Sequence, residues 1–218
     1  MFEVIPGILE KSWEEVEKKI QLLSPFAKTI HIDLLDGKFA PNTTFLDPKP
    51  FEKYSKEIFF ELHMMVEEPI FYLKPFADAG FRRFLGHIEK MSDQVEFVAE
   101  GQLLGEVGLA IDGKTAIDAI KVPLDDLDSL LVMTINAGFS GQEFMQEKLE
   151  KVRDFREKTT IPIEVDGGVN DQTILQARDG GATRYAATSF LFNSKYPQAQ
   201  YQKLKEKVMA REREEEYS

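Results

Sequence analysis

Ser12-Trp-Glu-Glu-Val-Glu-Lys-Lys-Ile-Gln-Leu-Leu-Ser-Pro-Phe-Ala-Lys-Thr-Ile-His-Ile-Asp-Leu34 changes its hydrophobic period part-way along. Its first half places Val16, Ile20 and Leu23 at helical spacing, and Ser12 with Glu15 reads as a capping box at the start. After Pro25 the character changes to a short apolar, β-branched run, Thr29–Leu34, in which His31 and Asp33 are two apart and project to one face. A helix followed at once by a buried strand is the unit of a parallel α/β sheet.

The same unit recurs in both directions. Strand-like runs are Val4–Leu9, Ile58–Met65, Arg83–His87, Val107–Ile111, Leu130–Ile135, Ile161–Val165 and Arg184–Ala187. Charged, amphipathic stretches long enough for a helix lie between them, with Gln146–Glu157, Asp171–Asp179 and Pro197–Arg211 the plainest later examples. Eight units in 218 residues leave about 27 each, the compact end for a (β/α)8 barrel. A doubly wound sheet has the same alternation, so alternation alone leaves both open. Asp47–Phe51, rich in Pro and Lys, is too short to divide domains and sits where a loop should lead into a helix. From about residue 203 the chain becomes dense in both charge signs, the pattern of a solvated last helix with a frayed end.

Composition narrows the classes of function. The net charge is −11 and no basic cluster occurs, which argues against nucleic acid as a partner. With no cysteine, neither a disulfide framework, a Cys-zinc site nor a Cys nucleophile is available. No apolar stretch approaches a membrane span, and Met1-Phe-Glu-Val-Ile-Pro-Gly7 lacks the basic and apolar regions of a signal peptide. The expectation is a soluble, cytoplasmic single domain over residues 1–218.

Chemistry concentrates at strand ends. His31 and Asp33 lie on one run, His63 closes the next, and Asp166 follows Ile161–Val165 and precedes Gly167-Gly168. In a parallel α/β fold these ends share one rim. Each alone is an ordinary structural polar residue; two imidazoles and two carboxylates together form a donor set for one divalent ion, zinc, manganese, iron or cobalt. The glycine turns Ile135-Asn-Ala-Gly-Phe-Ser-Gly-Gln142 and Asp166-Gly-Gly168 expose backbone N–H groups suited to a phosphate, and neither is a nucleotide fingerprint. His87, ending its run, is expected behind the ligands, and Trp13, Met133 and Met145 are expected to pack.

Five strings make the chain resemble the ribulose-phosphate 3-epimerase family. They are His31-Ile-Asp-Leu-Leu-Asp-Gly-Lys-Phe-Ala-Pro-Asn42, Leu62-His-Met-Met-Val66 with Glu68-Pro69, Val132-Met-Thr-Ile-Asn-Ala-Gly-Phe-Ser-Gly-Gln142, Ile163-Glu-Val-Asp-Gly-Gly-Val169 and Gly181-Ala182. The resemblance implies a (β/α)8 TIM barrel and a metal-dependent inversion at C3 of a ketose phosphate, D-ribulose 5-phosphate to D-xylulose 5-phosphate, through an enediolate. It implies Asp33 and Asp166 as the acid/base pair and His31, Asp33, His63 and Asp166 as ligands. It implies a substrate pocket built from Gly7, His63, Met65, Gly138, Phe139, Ser140, Gly141, Gly167, Gly168, Thr188 and Ser189. Family members are commonly homo-oligomers. Against the family pattern, Gly7 stands where a serine touches substrate, Leu35 where a methionine is usual, Ala137 and Ser140 where Pro and Gly are usual, and Asp112-Gly113 where Asn-Pro is usual. Thr188 replaces a glycine at the phosphate end, adding a side chain there. The alternatives are an epimerase or isomerase of another sugar with a rebuilt phosphate grip, and a barrel that binds without catalysis.

Overall fold

The structure is a computed structural model that describes residues 2–216, with side chains as far as Ala210. Eight parallel strands, Glu3–Ile8 (β1), Thr29–Leu35 (β2), Phe59–Met65 (β3), Phe81–His87 (β4), Glu106–Ile111 (β5), Ser129–Met133 (β6), Ile163–Asp166 (β7) and Arg184–Ala187 (β8), pair in chain order. β8 pairs back onto β1, with Pro6 opposite Ala187, and that closure excludes the doubly wound sheet. Leu9 and Ile135 fall just beyond the strands whose runs they ended in the sequence, and Asp166 falls just inside β7.

The helices follow the amphipathic stretches: Trp13–Leu23 (α1), Ile70–Asp78 (α2), Gln94–Gln102 (α3), Leu149–Arg156 (α4), Thr173–Asp179 (α5), Ser189–Phe192 (α6) and Pro197–Glu216 (α7). The Ser12 hydroxyl caps α1 by accepting from the Glu15 N–H at 3.4 Å, and Val16, Ile20 and Leu23 are buried against the barrel. α7 docks through Leu204 and Val208, both buried, so the charged segment from 203 has an inner face. The remainder of that tail, Tyr217 and Ser218, lies outside the described residues.

Two connections carry no α-helix. Between β2 and β3 the chain makes only a 3-10 turn, Lys49–Lys53, because Pro48 and Pro50 remove backbone donors in succession. An aromatic cluster covers the barrel wall there instead. Phe51 is fully buried, edge-on to Phe60 at 5.4 Å, Phe81 at 5.1 Å and Trp13 at 5.1 Å. Between β5 and β6 two 3-10 turns, Ile117–Ala119 and Leu124–Asp126, flank Pro123.

Strand parity sets the barrel interior. Register places Gly7 beside His31, Asp33 beside His63, and Met133 beside Asp166. One step below, Glu61, Arg83 and Glu164 are buried where barrels of this architecture usually carry branched aliphatic layers. Apolar packing lies mainly between strands and helices, with a smaller cluster of Leu85, Ala110, Leu131, Met133 and Ile135 inside.

Candidate active site

The rim at the C-terminal ends of the strands is closed by loops that depend on a few side chains. Asp36, after β2, accepts from the N–H groups of Lys38, Phe39 and Glu67 at 2.9, 3.2 and 2.8 Å, which folds residues 36–42 inward. Burial opposes its ionisation, and the three N–H donors together with its own hold its pKa below the usual value. Asn42 Nδ2 then donates to the Gly138 carbonyl at 2.8 Å, joining this loop to the one after β6. Gly138 has φ 117°, and a Cβ on it would lie 2.6 Å from that of Ala40, so only glycine permits this approach. Thr134 Oγ1, at the start of the same loop, reaches the Asp166 and Gly167 carbonyls at 2.9 and 2.6 Å and fixes the turn after β7.

These loops border a narrow cleft that opens to solvent. Asp33, Met65, Gly138, Phe139, Ser140, Gly141, Asp166, Gly167, Gly168, Thr188 and Ser189 line it, Gly7 and His63 do not, and among the described residues no lysine or arginine does. Met133, expected to pack, both packs and lines the cleft; Met145 is half-buried; Trp13 joins the aromatic cluster. Asp112 does not line the cleft: its N–H donates to Glu89 and its carbonyl accepts from Lys151. Thr188 turns its side chain towards Gly7.

Below the cleft, one donor atom each from His31, Asp33, His63 and Asp166 lie within 4.8 Å of one another. His31 Nε2 faces Asp33 Oδ1 at 3.2 Å and Asp166 Oδ2 at 4.0 Å. His63 Nδ1 faces Asp33 Oδ1 at 2.9 Å and Asp166 Oδ2 at 3.4 Å. Both imidazoles are wholly buried, so the two carboxylates present the site to the cleft. Two imidazole nitrogens, once relieved of their protons, and two carboxylate oxygens converging at this separation fit a divalent ion of the zinc, manganese, iron or cobalt type.

The outer nitrogens are each fixed, that of His31 by a carboxylate and that of His63 by a third imidazole. His31 Nδ1 donates to Glu61 Oε1 at 2.6 Å, which leaves Nε2 as the inward nitrogen. Glu61 is in turn held by Arg83 Nη1 at 2.6 Å, and Arg83 Nε donates to Glu106 at 2.6 Å. On the other side His63 Nε2 meets His87 Nε2 at 3.0 Å, and His87 Nδ1 meets Glu89 Oε2 at 2.9 Å. A carboxylate only accepts, so His87 donates from Nδ1, and a neutral His87 then accepts from the His63 Nε2–H. Burial depresses the His87 pKa, which keeps it neutral. Phe39 covers its ring at 4.6 Å.

Electrostatics follow from this crowding. Burial alone would raise the Asp33 carboxyl, yet His31 and His63 outweigh it and hold the pKa well below the usual carboxylate range. Burial would lower both histidines, and their carboxylate partners again win: His31 rises well above its ordinary value and His63 to about 9. Glu164 Oε1 lies 3.2 Å from His31 Nδ1, whose proton Glu61 already takes, so both Glu164 oxygens are buried without a hydrogen bond. Burial and the neighbouring Glu61 charge push Glu164 up to about 7.

The four residues singled out at the strand ends, His31, Asp33, His63 and Asp166, come together in the structure. Sequence reasoning missed Glu61, Arg83, Glu164 and Glu89. The signal was parity: Glu61 and Glu164 stand two residues before His63 and Asp166, and Arg83 four before His87, all on the inward face.

A family model described as the ribulose-phosphate 3 epimerase family matches residues 3–192. The ribulose-phosphate 3-epimerase of Schizosaccharomyces pombe is 33% identical over 214 residues, covering 95% of this chain and 94% of that protein. The Bacillus subtilis ribulose-phosphate 3-epimerase is 31% identical, covering 88% and 93%. Among solved structures, 3-keto-L-gulonate-6-phosphate decarboxylase from Vibrio cholerae superimposes with a TM-score of 0.73 at 11% identity, covering 96% and 99%, a likeness of fold.

Proposed function

The chain belongs to the ribulose-phosphate 3-epimerase family, and on that premise we propose that this epimerase inverts C3 of D-ribulose 5-phosphate, giving D-xylulose 5-phosphate, with Asp33 and Asp166 exchanging the proton. The observation that carries the reading is the pair of carboxylates itself. Asp33 on β2 and Asp166 on β7, separated around the barrel by β1 and β8, both line the cleft and approach one point.

C3 lies next to the ketone, so its C–H bond is weakened as an acid. Asp33, held ionised by the two histidines, takes the proton from one face and leaves an enediolate. A protonated Asp166 delivers a proton to the other face, and the carbonyl re-forms with C3 inverted. The reverse reaction exchanges the two roles. His31, Asp33, His63 and Asp166 would hold a divalent ion, which when bound supplies positive charge to offset the oxyanion. Glu61 and His87 keep the two imidazoles in their tautomers. The closed loops and the apolar Met65, Met133 and Ile135 limit water around the reacting carbon.

Since no cationic side chain among the described residues lines the cleft, the substrate phosphate is assigned to backbone N–H groups. The turn at Gly167 and Gly168, with φ 113° and 68°, and the start of α6 at Ser189 are the elements that border the cleft there. The test is turnover of D-ribulose 5-phosphate in deuterated water by the metal-loaded protein. Deuterium should enter C3 of the product, and Asp33→Asn and Asp166→Asn should each lose turnover. Near-normal turnover in either variant, or a product free of label at C3, would overturn the two-aspartate reading. Faster turnover of an unphosphorylated ketose would transfer the same chemistry to another substrate.

A further inference from the structure

Thr188 lines the cleft, and Gly7, which lies just beside it, is in contact with its side chain. The β1–β8 ladder runs to Pro6 opposite Ala187, which brings the next residue of each strand side by side. A Cβ built on Gly7 would lie 2.3 Å from Thr188 Oγ1, 3.6 Å from Thr188 Cβ and 3.8 Å from His31 Cδ2. No pair of real atoms tolerates the first distance. The Thr188 hydroxyl therefore occupies the space that any side chain at position 7 would need, on the inward face beside the His31 ring. Although Thr188 stands at the N-cap of α6, its side chain caps nothing there. It is half-buried and lines the cleft with Asp33 and Asp166.

We propose that Gly7 and Thr188 form one specificity element: the missing side chain at 7 opens a slot, and the Thr188 hydroxyl fills it to hydrogen-bond an oxygen on the substrate beside the reacting carbon. The ligand chemistry is a hydroxyl or carbonyl oxygen of a polyhydroxylated ketose, distinct from the phosphate borne by the neighbouring turn. The element rests on the epimerase reading for its substrate and on geometry alone for its coupling. Thr188 would then be a contact that selects substrate, and its side chain would not obstruct the phosphate, because its hydroxyl turns towards Gly7 instead.

Two measurements test the two halves separately. In kinetics with D-ribulose 5-phosphate, Thr188→Val should raise KM about 10-fold with kcat little changed, the worth of one hydrogen bond. Thr188→Ser, which keeps the hydroxyl, should stay near the parent, and Gly7→Ala should imitate Thr188→Val by displacing the hydroxyl. A Thr188→Val enzyme with parental KM, or failure of Thr188→Ser to retain it, overturns the contact. In thermal unfolding, which needs no substrate, Gly7→Ala should lower Tm in the parent and have little effect in a Thr188→Gly background. Equal effects in both backgrounds overturn the slot. Absence of turnover in the parent itself would instead sink the epimerase reading, while the unfolding cycle still decides the coupling.

Discussion

Metal uptake by this site should compete with protons, and the competition has a calculable slope. His63 Nδ1 and His31 Nε2 both face the carboxylates that would share an ion with them, and those carboxylates retain protons on the rings. With His63 raised to about 9, the ring is about 99% protonated at pH 7, so an ion must displace that proton to reach the nitrogen. Each unit of pH below 9 then weakens the apparent affinity about tenfold for one displaced proton. His31, raised well above its ordinary value, adds a second proton. Asp33 contributes none, because its partners already hold it ionised. Raising the pH from 6 to 8 should therefore tighten binding at least ~100-fold, and ~10⁴-fold if both rings release a proton. Cobalt(II) titration against a competing chelator, corrected for the chelator's own protonation, measures the slope. Calorimetry in two buffers of different ionisation enthalpy counts the protons released. An affinity flat over this range, or binding with no proton release, would refute the argument that the carboxylates hold these rings protonated.

Two further outcomes follow from the groups behind the ligands. Glu89→Gln and His87→Gln should each weaken ion binding ~10–100-fold while leaving the fold intact, as measured by the same chelator competition, because each breaks the line that orients His63. Arg83→Met should destabilise the protein by ~3–5 kcal/mol in denaturant unfolding, since the buried Glu61 charge would lose its guanidinium partner and keep only His31; adding Glu61→Gln should recover part of that loss.

Much of the fold was legible because it rests on periodicity. The change from helical spacing at Val16, Ile20 and Leu23 to the strand at Thr29–Leu35 is a local property, and the structure reproduces it. What periodicity lacks is closure. Pairing of β1 with β8 joins residues from opposite ends of the chain, and only the resemblance of the longer strings pointed to it. The missing helix after β2 was hidden because Asp47–Phe51 lies where a helix would be entered, while its prolines and the contacts of Phe51 determine the outcome. At the site, His31, Asp33, His63 and Asp166 stood out because such residues are unusual at the ends of apolar runs. Glu61, Arg83 and Glu164 did not, because a charged residue inside a strand reads as an outward one until the register places it within the barrel. Thr188 read as an addition to the phosphate end, since its fit to Gly7 links residues far apart in the chain.

Trp13 gives the aromatic cluster a practical use. It is the chain's single tryptophan, it leans on Phe51, and it lies on the flank where β2 and β3 lack a covering helix, outside the cleft. Intrinsic fluorescence excited at the indole therefore reports on one wall of the barrel and on no part of the catalytic rim. Opening between β2 and β3 can be timed against loss of turnover in the same cuvette, so a breach of the wall can be separated from loss of the rim without attaching a dye.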